Sequence, residues 1–110
     1  MLTATNLTTT GATTVFQATV ESAVTCMIFC NYSVTDTDIT VYAVPNSGSP
    51  SYAVGSQNNG NMILKTITIT AGDTFVMDME KLVLSTNDTI IAQASAGNCI
   101  SCNISTMSIT

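Results

Sequence analysis

The strongest constraint on the fold of this chain is a pair of similar turn signals, AGDT at residues 71–74 and TNDT at residues 86–89. Each lies between two apolar runs rich in β-branched residues, and each places a residue that tolerates positive φ directly before an aspartate. The Asp73 and Asp88 carboxylates can accept hydrogen bonds from the amides of their own turns. We therefore expect tightly turned antiparallel β-structure, in which replacing either aspartate with Ala costs about 1 kcal/mol of stability.

Strand-like runs recur along the whole chain, separated by Gly, Asn, Asp and Ser, and no helical period of useful length occurs. Short strands about 8–12 residues apart are typical of a sandwich or small barrel. The sequence predicts one all-β domain, an antiparallel β-sandwich of about eight strands that is either Ig-like or jelly-roll-like. Residues 1–13 form an N-terminal arm or edge strand, and residues 14–110 form the sandwich. The strands are expected at 14–20, 23–33, 39–44, 62–70, 73–77, 80–84, 89–95 and 99–109.

The most apolar run is AVTCMIFCNYS at residues 23–33. Strict alternation would put Val24, Cys26, Ile28 and Cys30 on one face and the residues between them on the other. A strand that is apolar on both faces is either covered on both sides or has one face in an interface. Both alternatives stay open at this point.

The four cysteines form two pairs, Cys26 with Cys30 and Cys99 with Cys102. In an extended strand the first pair would be about 13 Å apart, which excludes a disulfide between them. Zinc is disfavoured because both pairs lie in strand-like runs and the chain has no His. Free buried thiols, a bridge between the two strands and bridges between subunits all remain open.

Composition excludes several functions. The only cations are Lys65 and Lys81 and the net charge is −5, so the chain lacks a cationic surface for nucleic acid. Without His, no Ser-His or Cys-His pair can form, and we expect a protein that is not an enzyme and needs no cofactor. Asp36 with Asp38, or Asp78 with Glu80, could bind calcium only if a loop converged them, and solvated turn residues are the preferred interpretation. We expect no metal site.

No window of the sequence reaches the roughly 18 apolar residues that a membrane span needs, and no signal peptide is expected. Only 8% of the residues are charged, which leaves a large, weakly charged polar surface. An isolated monomer usually protects itself with surface charge, whereas a subunit of an assembly needs less protection. We therefore expect a homo-oligomer.

The sequence also contains candidate interface residues. Leu2 and Leu7 lie in the Thr-rich N-terminal segment, which could pair with a neighbouring subunit. Pro50 and Tyr52 lie in the long Gly/Ser/Asn-rich loop at residues 46–61. Loops of this length are often functional, although a tolerated surface insertion is an equal alternative.

The run TAGDTFVMDMEKLVLSTNDTIIAQASA at residues 70–96 resembles the C-terminal half of a group of small virion proteins of tailed bacteriophages. Residues 28–31 (IFCN) and 39–45 (ITVYAVP) are similar to their first half, so that the resemblance covers about residues 14–109. Asn87 stands where the family often has Gly. The four cysteines are not part of the family's pattern.

The resemblance implies a non-enzymatic β-sandwich subunit of a phage particle, assembled in the host cytoplasm. It would bind other virion proteins and copies of itself at the neck or collar, on the tail or on the capsid surface. A receptor- or glycan-binding module is the alternative, and it would need an exposed aromatic patch. A bacterial adhesin or pilus-like subunit would require export, which the N-terminal residues do not favour.

Overall fold

The computed structural model describes residues 2–45 and 61–109, except for the side chains of residues 78–81. No helix in that part of the chain is long and apolar enough to cross a bilayer. The described residues form eight strands: β1 (Leu2–Leu7), β2 (Thr13–Gln17), β3 (Ser22–Asn31), β4 (Thr37–Val44), β5 (Met62–Ile69), β6 (Thr74–Leu84), β7 (Thr89–Ala94) and β8 (Ile100–Ser108).

The strands form two antiparallel sheets of four. The front sheet has the order β1-β8-β3-β6, and the back sheet has the order β2-β7-β4-β5. The pairings are nested, since β1 pairs with β8, β2 with β7, β3 with β6 and β4 with β5. Nested pairing of this kind amounts to one long hairpin. When the hairpin wraps around the core, β3 also pairs with β8 and β4 with β7.

This topology confirms the predicted antiparallel sandwich and identifies it as a jelly roll. In an Ig-like sandwich, consecutive strands such as A and B pair within one sheet. Here every connection crosses from one sheet to the other, except the one between β4 and β5. Eight strands in two facing sheets with nested pairing are the pattern of a jelly roll.

The core fills the space between the two sheets. Met27 and Phe29 of β3 and Ile39 and Val41 of β4 are fully buried in it. No buried side-chain nitrogen or oxygen lacks a hydrogen-bond partner among the described residues. The remaining core side chains come from the other strands and, for Ala18 and Cys99, from connections: Leu7, Val15, Phe16, Ala18, Val24, Ile69, Leu84, Ile90, Ala92, Ala94, Cys99, Ile100, Cys102 and Ile104.

Two expected strand assignments need correction. The runs 73–77 and 80–84 were expected as separate strands but form one continuous strand, β6. The strand expected at 14–20 ends at Gln17, and a register shift between Thr14 and Phe16 lets Val15 and Phe16 both be buried. A β-bulge of this kind breaks simple alternation, which is why the sequence pattern misled.

Both predicted turn signals form tight turns, and each turn joins strands of opposite sheets. The amide of Asp73 donates to Thr70 O and that of Asp88 donates to Ser85 O, at 2.9 and 3.0 Å. The third residue of each turn has positive φ, 79° at Gly72 and 73° at Asn87. This is the geometry of a type II turn, whose twist does not suit a two-residue hairpin. The two turns are therefore corners of the sandwich.

The two aspartates play different parts in these corners. The Asp88 carboxylate accepts a hydrogen bond from the Ser85 amide at 2.9 Å, as the sequence predicts. The Asp73 carboxylate makes no hydrogen bond within the described residues. The amide of Ala71 in that turn is bound instead by the Asp36 carboxylate, at 3.0 Å, from the connection between β3 and β4.

A buried asparagine closes the same end of the sandwich. Asn31 is fully buried, and its Nδ2 donates to Thr35 O at 2.8 Å and to Ile69 O at 2.9 Å. Its Oδ1 accepts from the amide and the hydroxyl of Ser33. One side chain thus joins the end of β3 to the next connection and to the end of β5.

We predict that replacing the two corner aspartates has unequal effects on the free energy of unfolding. Asp88→Ala should lose about 1 kcal/mol because it removes the bond to the Ser85 amide. Asp73→Ala should lose no more than about 0.5 kcal/mol, the usual range for a surface substitution. Urea titration of both variants measures the difference, and equal losses would contradict the assignment.

Candidate functional site

The outward-facing residues of β3 depend on a bulge at Thr25. The pairing of β3 with both β6 and β8 shifts register between Val24 and Cys26. Val24 is therefore fully buried on the inner side, and the expectation that it shares a face with Cys26 is wrong. From Cys26 onward the burial alternates along the strand. Met27 and Phe29 are buried, and Cys26, Ile28 and Cys30 are half-buried.

Register places three cross-strand rows on the outer surface of the front sheet, which we call the front face. Residues directly opposite one another in antiparallel strands lie on the same side of the sheet. The rows are Leu2, Ser105 and Cys26; Ala4, Asn103, Ile28 and Val76; and Asn6, Ser101, Cys30 and Thr74. Ala23 continues the face toward the far end of β3, between Met107 and Val83.

Exposed apolar side chains are concentrated on the front face. Leu2 is 67% exposed, and Val76, Val83 and Met107 are each exposed by 52–53%. Among the described residues, no strand of the back sheet carries a large hydrophobic side chain with comparable exposure. The two outer surfaces of the sandwich therefore differ, and the front face is the more apolar one.

The front face also carries no charged side chain among those that the structure describes. The described carboxylates lie in connections or near the start of β4: Glu21, Asp36, Asp38, Asp73 and Asp88. On β6, Asp78 is in register with Cys26, and its side chain is outside the described part. In a chain of net charge −5, the front face is a surface where two copies can meet with little repulsion.

The four cysteines are free thiols in two different environments. Cys26 and Cys30 are half-buried on the front face, on either side of Ile28. Cys102 is fully buried in the core, opposite Phe29. Because the sheet separates the front face from the core, neither front-face thiol can reach Cys102 within one chain. A disulfide from Cys26 or Cys30 to Cys102, one form of the predicted bridge between strands, therefore cannot form within one chain.

The environments of Cys99 and Cys102 shift the pKa values of the two thiols in opposite directions. Burial raises the pKa of the Cys102 thiol to about 12. The hydroxyl groups of Ser33 and then Thr37 lower the pKa of Cys99, against burial, which raises it. The Cys99 thiol also donates to Gly97 O at 3.4 Å. Cys102 is therefore an inert core residue at neutral pH, because the thiolate is the reactive form.

The predicted interface residues are distributed unevenly. Leu2 is on the front face, at the outer edge of the sheet on β1. Leu7 is 1% exposed and belongs to the core, so it is not available to a partner. Pro50 and Tyr52 lie outside the described residues. The front face itself was only one of the alternatives that the apolar β3 run left open.

Two cavities open on other sides of the sandwich. A groove of about 360 Å³ follows the side of the sandwich between β5 and β6, with Val44, Met62 and Leu82 among its lining residues, and Val83 of the front face also lines it. A smaller polar cleft of about 240 Å³ lies on the back sheet, lined by Asp38, Thr40, Thr66, Gln93, Ala94 and Ser95.

The polar groups of the back-sheet cleft are already bound to one another. Asp38 Oδ1 accepts from the Thr68 hydroxyl at 2.7 Å, and its amide donates to Ser95 Oγ at 2.9 Å. The Thr66 amide donates to Thr40 Oγ1 at 3.3 Å, and Thr66 has a φ of 51°, which is unusual for a β-branched residue. These bonds hold β5 to its neighbours, so that the cleft has a structural explanation.

No group of three or more His, Cys, Asp or Glu residues that could hold a metal ion occurs among the described residues. Asp36 and Asp38, the calcium candidates, bind the Ala71 amide and the Thr68 hydroxyl. Asp36 thus binds the amide of a corner turn, whereas Asp38 lies in β4 and binds across to β5.

Comparison of the chain with protein-family models, with curated proteins and with solved structures finds no match. The function must therefore be argued from the fold and the surface.

We predict that Cys102 makes the fold sensitive to alkaline pH. A thiol has an unperturbed pKa of about 8.5, and burial raises that of Cys102 to about 12 in the folded state. Its contribution to stability is complete below about pH 8.5 and is lost as pH rises to about 12, at up to about 1.4 kcal/mol per pH unit. Urea titrations across this pH range should show that the free energy of unfolding falls less steeply with pH in Cys102→Val than in the wild type.

The matched control is Cys26→Val, which retains the Cys102 thiol and should follow the wild-type slope. Equal slopes for both variants would show that Cys102 does not titrate as its burial requires.

Proposed function

We propose that this chain is a non-enzymatic structural subunit that associates with copies of itself through the front face. The observation that carries the proposal is the difference between the two sheets. The front face combines exposed Leu2, Val76, Val83 and Met107 with the half-buried Ile28 and carries no described charge. Exposed apolar side chains gathered on one face of a domain are a common mark of an interaction site.

The size of the front face fits a reversible contact between two copies. Four strands about 4.8 Å apart, with residues rising about 3.3 Å each, give a face of about 20 by 30 Å. This is about 600 Å² of projected area per copy, somewhat below the 800 Å² or so that each partner buries in a standard interface. A single contact should therefore be weak, and several contacts per subunit would be needed for a stable assembly.

The distribution of charge supports a second copy as the partner. Each chain carries a net charge of −5, and its described carboxylates lie away from the front face. Two front faces can come together without bringing these carboxylates into the contact. A strongly basic partner would find no complementary charge among the described side chains of this surface.

The edge strands offer a second kind of contact. In the front sheet, β1 and β6 are edge strands, and no neighbouring strand covers their outer edges in the described structure. Pairing of β1 with an edge strand of another copy would extend the sheet, as in β-strand addition. This is the part that the Thr-rich N-terminal segment could play in an assembly of many copies.

We place the assembly in a phage particle, at the neck or collar, on the tail or on the capsid surface. The support is the sequence resemblance to small virion proteins, together with a jelly-roll topology that viral capsid proteins also use. Lectin domains and cupins share the topology, so the fold alone does not decide the function.

A receptor- or glycan-binding module is the second candidate function. It is favoured by the polar cleft on the back sheet, whose Asp38, Gln93 and Ser95 side chains are of the kind that bind sugar hydroxyls. It ranks second because Asp38 and Ser95 already bind β5 and β4. Binding to a glycan array that is lost in Gln93→Ala would favour it over assembly.

We predict that a charge on the front face prevents association. Val76 is 52% exposed in the central row, where Val76→Glu leaves the core intact but sets two carboxylates near each other in a face-to-face dimer. Sedimentation velocity under reducing conditions should show concentration-dependent association of the wild type and at least a tenfold weaker association of the variant.

Gln93→Glu is the matched control because it adds the same charge to the outer surface of the back sheet. It should associate like the wild type. Equal weakening by both variants would indicate a general effect of net charge, and a wild-type chain that stays monomeric at every concentration would overturn the proposal.

The particle location has its own test. Mass spectrometry of purified particles from infected host cells should detect this chain in multiple copies, in constant ratio to the other virion proteins through a density gradient. If the chain is expressed during infection but stays in the soluble fraction, the virion assignment fails even if self-association is observed.

A further inference from the structure

The two thiols on the front face stand in a symmetric arrangement about Ile28. Cys26 and Cys30 are two positions before and two positions after it on β3, so that all three lie on the same side of the strand. Each thiol has a serine beside it on β8, Ser105 next to Cys26 and Ser101 next to Cys30. These serines leave room for another surface on the β8 side of both thiols. On the β6 side, Cys26 is in register with Asp78 and Cys30 with Thr74.

We propose that Cys26 of one copy and Cys30 of a second copy form a disulfide, twice, across a two-fold symmetric front-face dimer. The inference rests on the proposed self-association through this face. It assigns to Cys26 and Cys30 a part that the buried Cys102 cannot take, because the front sheet lies between that thiol and any partner on the front face.

The pairing depends on the two-fold axis that relates the two copies. One two-fold axis runs across the strands, along the row of Ala4, Asn103, Ile28 and Val76. It places each strand above the same strand of the second copy, with the two strands running in opposite directions. All four strands of one sheet then cover all four of the other. This axis brings the row of Cys26 over the row of Cys30.

A second two-fold axis runs along β3 and would set Cys26 against Cys26 of the second copy. Because β3 is the third strand in the order β1-β8-β3-β6, that axis leaves β1, with the exposed Leu2, outside the overlap. A third axis, parallel to the strands between β8 and β3, overlaps all four strands but sets Cys26 over Ser105 and brings no two thiols together. Of the three, only the axis across the strands combines full overlap with facing thiols, and it pairs Cys26 with Cys30.

Such bridges require the two sheets to approach closely at the thiols. Facing sheets pack about 10 Å apart on average, whereas a disulfide needs its two Cα atoms within about 7 Å. The inter-sheet disulfide of antibody domains shows that facing sheets can reach this distance locally. The two bridges would be about 13 Å apart along β3, which corresponds to four residues of extended strand. Two bridges so placed would fix both the register and the rotation of one copy on the other.

The chemistry needs a disulfide oxidant, for which glutathione disulfide serves. The Cys26 thiolate attacks one sulfur of glutathione disulfide, which releases one glutathione thiolate and leaves a mixed disulfide. The Cys30 thiolate of the second copy then attacks the Cys26 sulfur and releases the second glutathione. Each bridge thus converts two protein thiols and one glutathione disulfide into one protein disulfide and two reduced glutathiones.

The test uses the full-length chain and its Cys26→Ser and Cys30→Ser variants, oxidised with glutathione disulfide and examined on non-reducing gels. The wild type should form covalent dimers, and peptide mass spectrometry should find Cys26 joined to Cys30. Each single variant alone should form less than about a tenth as much, because Ser replaces one partner in both bridges of a two-fold dimer.

An equimolar mixture of the two single variants provides the decisive comparison. About half of the dimers in this mixture contain one chain of each variant. In each of these, the remaining Cys30 of one chain faces the remaining Cys26 of the other and can form one bridge. Covalent dimer should therefore return to about half of the wild-type yield. The double variant, which keeps Cys99 and Cys102, should form none.

Three outcomes would overturn the inference, and they separate it from the proposed function. Covalent dimer in either single variant alone would show that like thiols pair. Absence of covalent dimer in the wild type, while sedimentation under reducing conditions shows association, would refute the bridges but not the assembly. A wild type that neither associates when reduced nor forms covalent dimers would refute both.

Discussion

The register of β3 between β6 and β8 is the constraint on which the rest of this structure depends. A single bulge at Thr25 sets the phase of the strand, so that Val24, Met27 and Phe29 enter the core while Cys26, Ile28 and Cys30 face outward. A slip of one residue would exchange the two sets. The core and the front face are thus two consequences of one hydrogen-bonding pattern, and neither can change without the other.

The polar residues of the chain are used mainly at the ends of the sandwich. Asn31 makes four hydrogen bonds from a fully buried site, and Asp36 and Asp88 bind the amides of the two corner turns. Buried polar groups with all their partners stabilise one particular arrangement of the chain. Asp36 and Asp88 are thereby held away from the front face, which carries no charge among its described side chains.

The sequence predicts the sandwich, both corner turns and the apolar character of β3, because β-branched runs and positive-φ residues are local signals. It does not predict the continuity of β6 or the face of Val24, because a bulge and a strand's full length depend on partners far along the chain. Leu7 illustrates the same limit. Its place in the core follows from pairing with Ile100, which no local pattern near residue 7 reveals. The front face could be recognised only when β1, β8, β3 and β6 were set side by side.

The most direct test of the account is the rate at which iodoacetamide alkylates Cys26 and Cys30 in the reduced native chain at low and at high chain concentration. If copies meet through the front face, both rates should fall severalfold as the chain associates, while in Val76→Glu they should stay constant. Unchanged alkylation of both thiols at concentrations where sedimentation shows the wild-type chain to be associated would place the contact elsewhere and contradict the account.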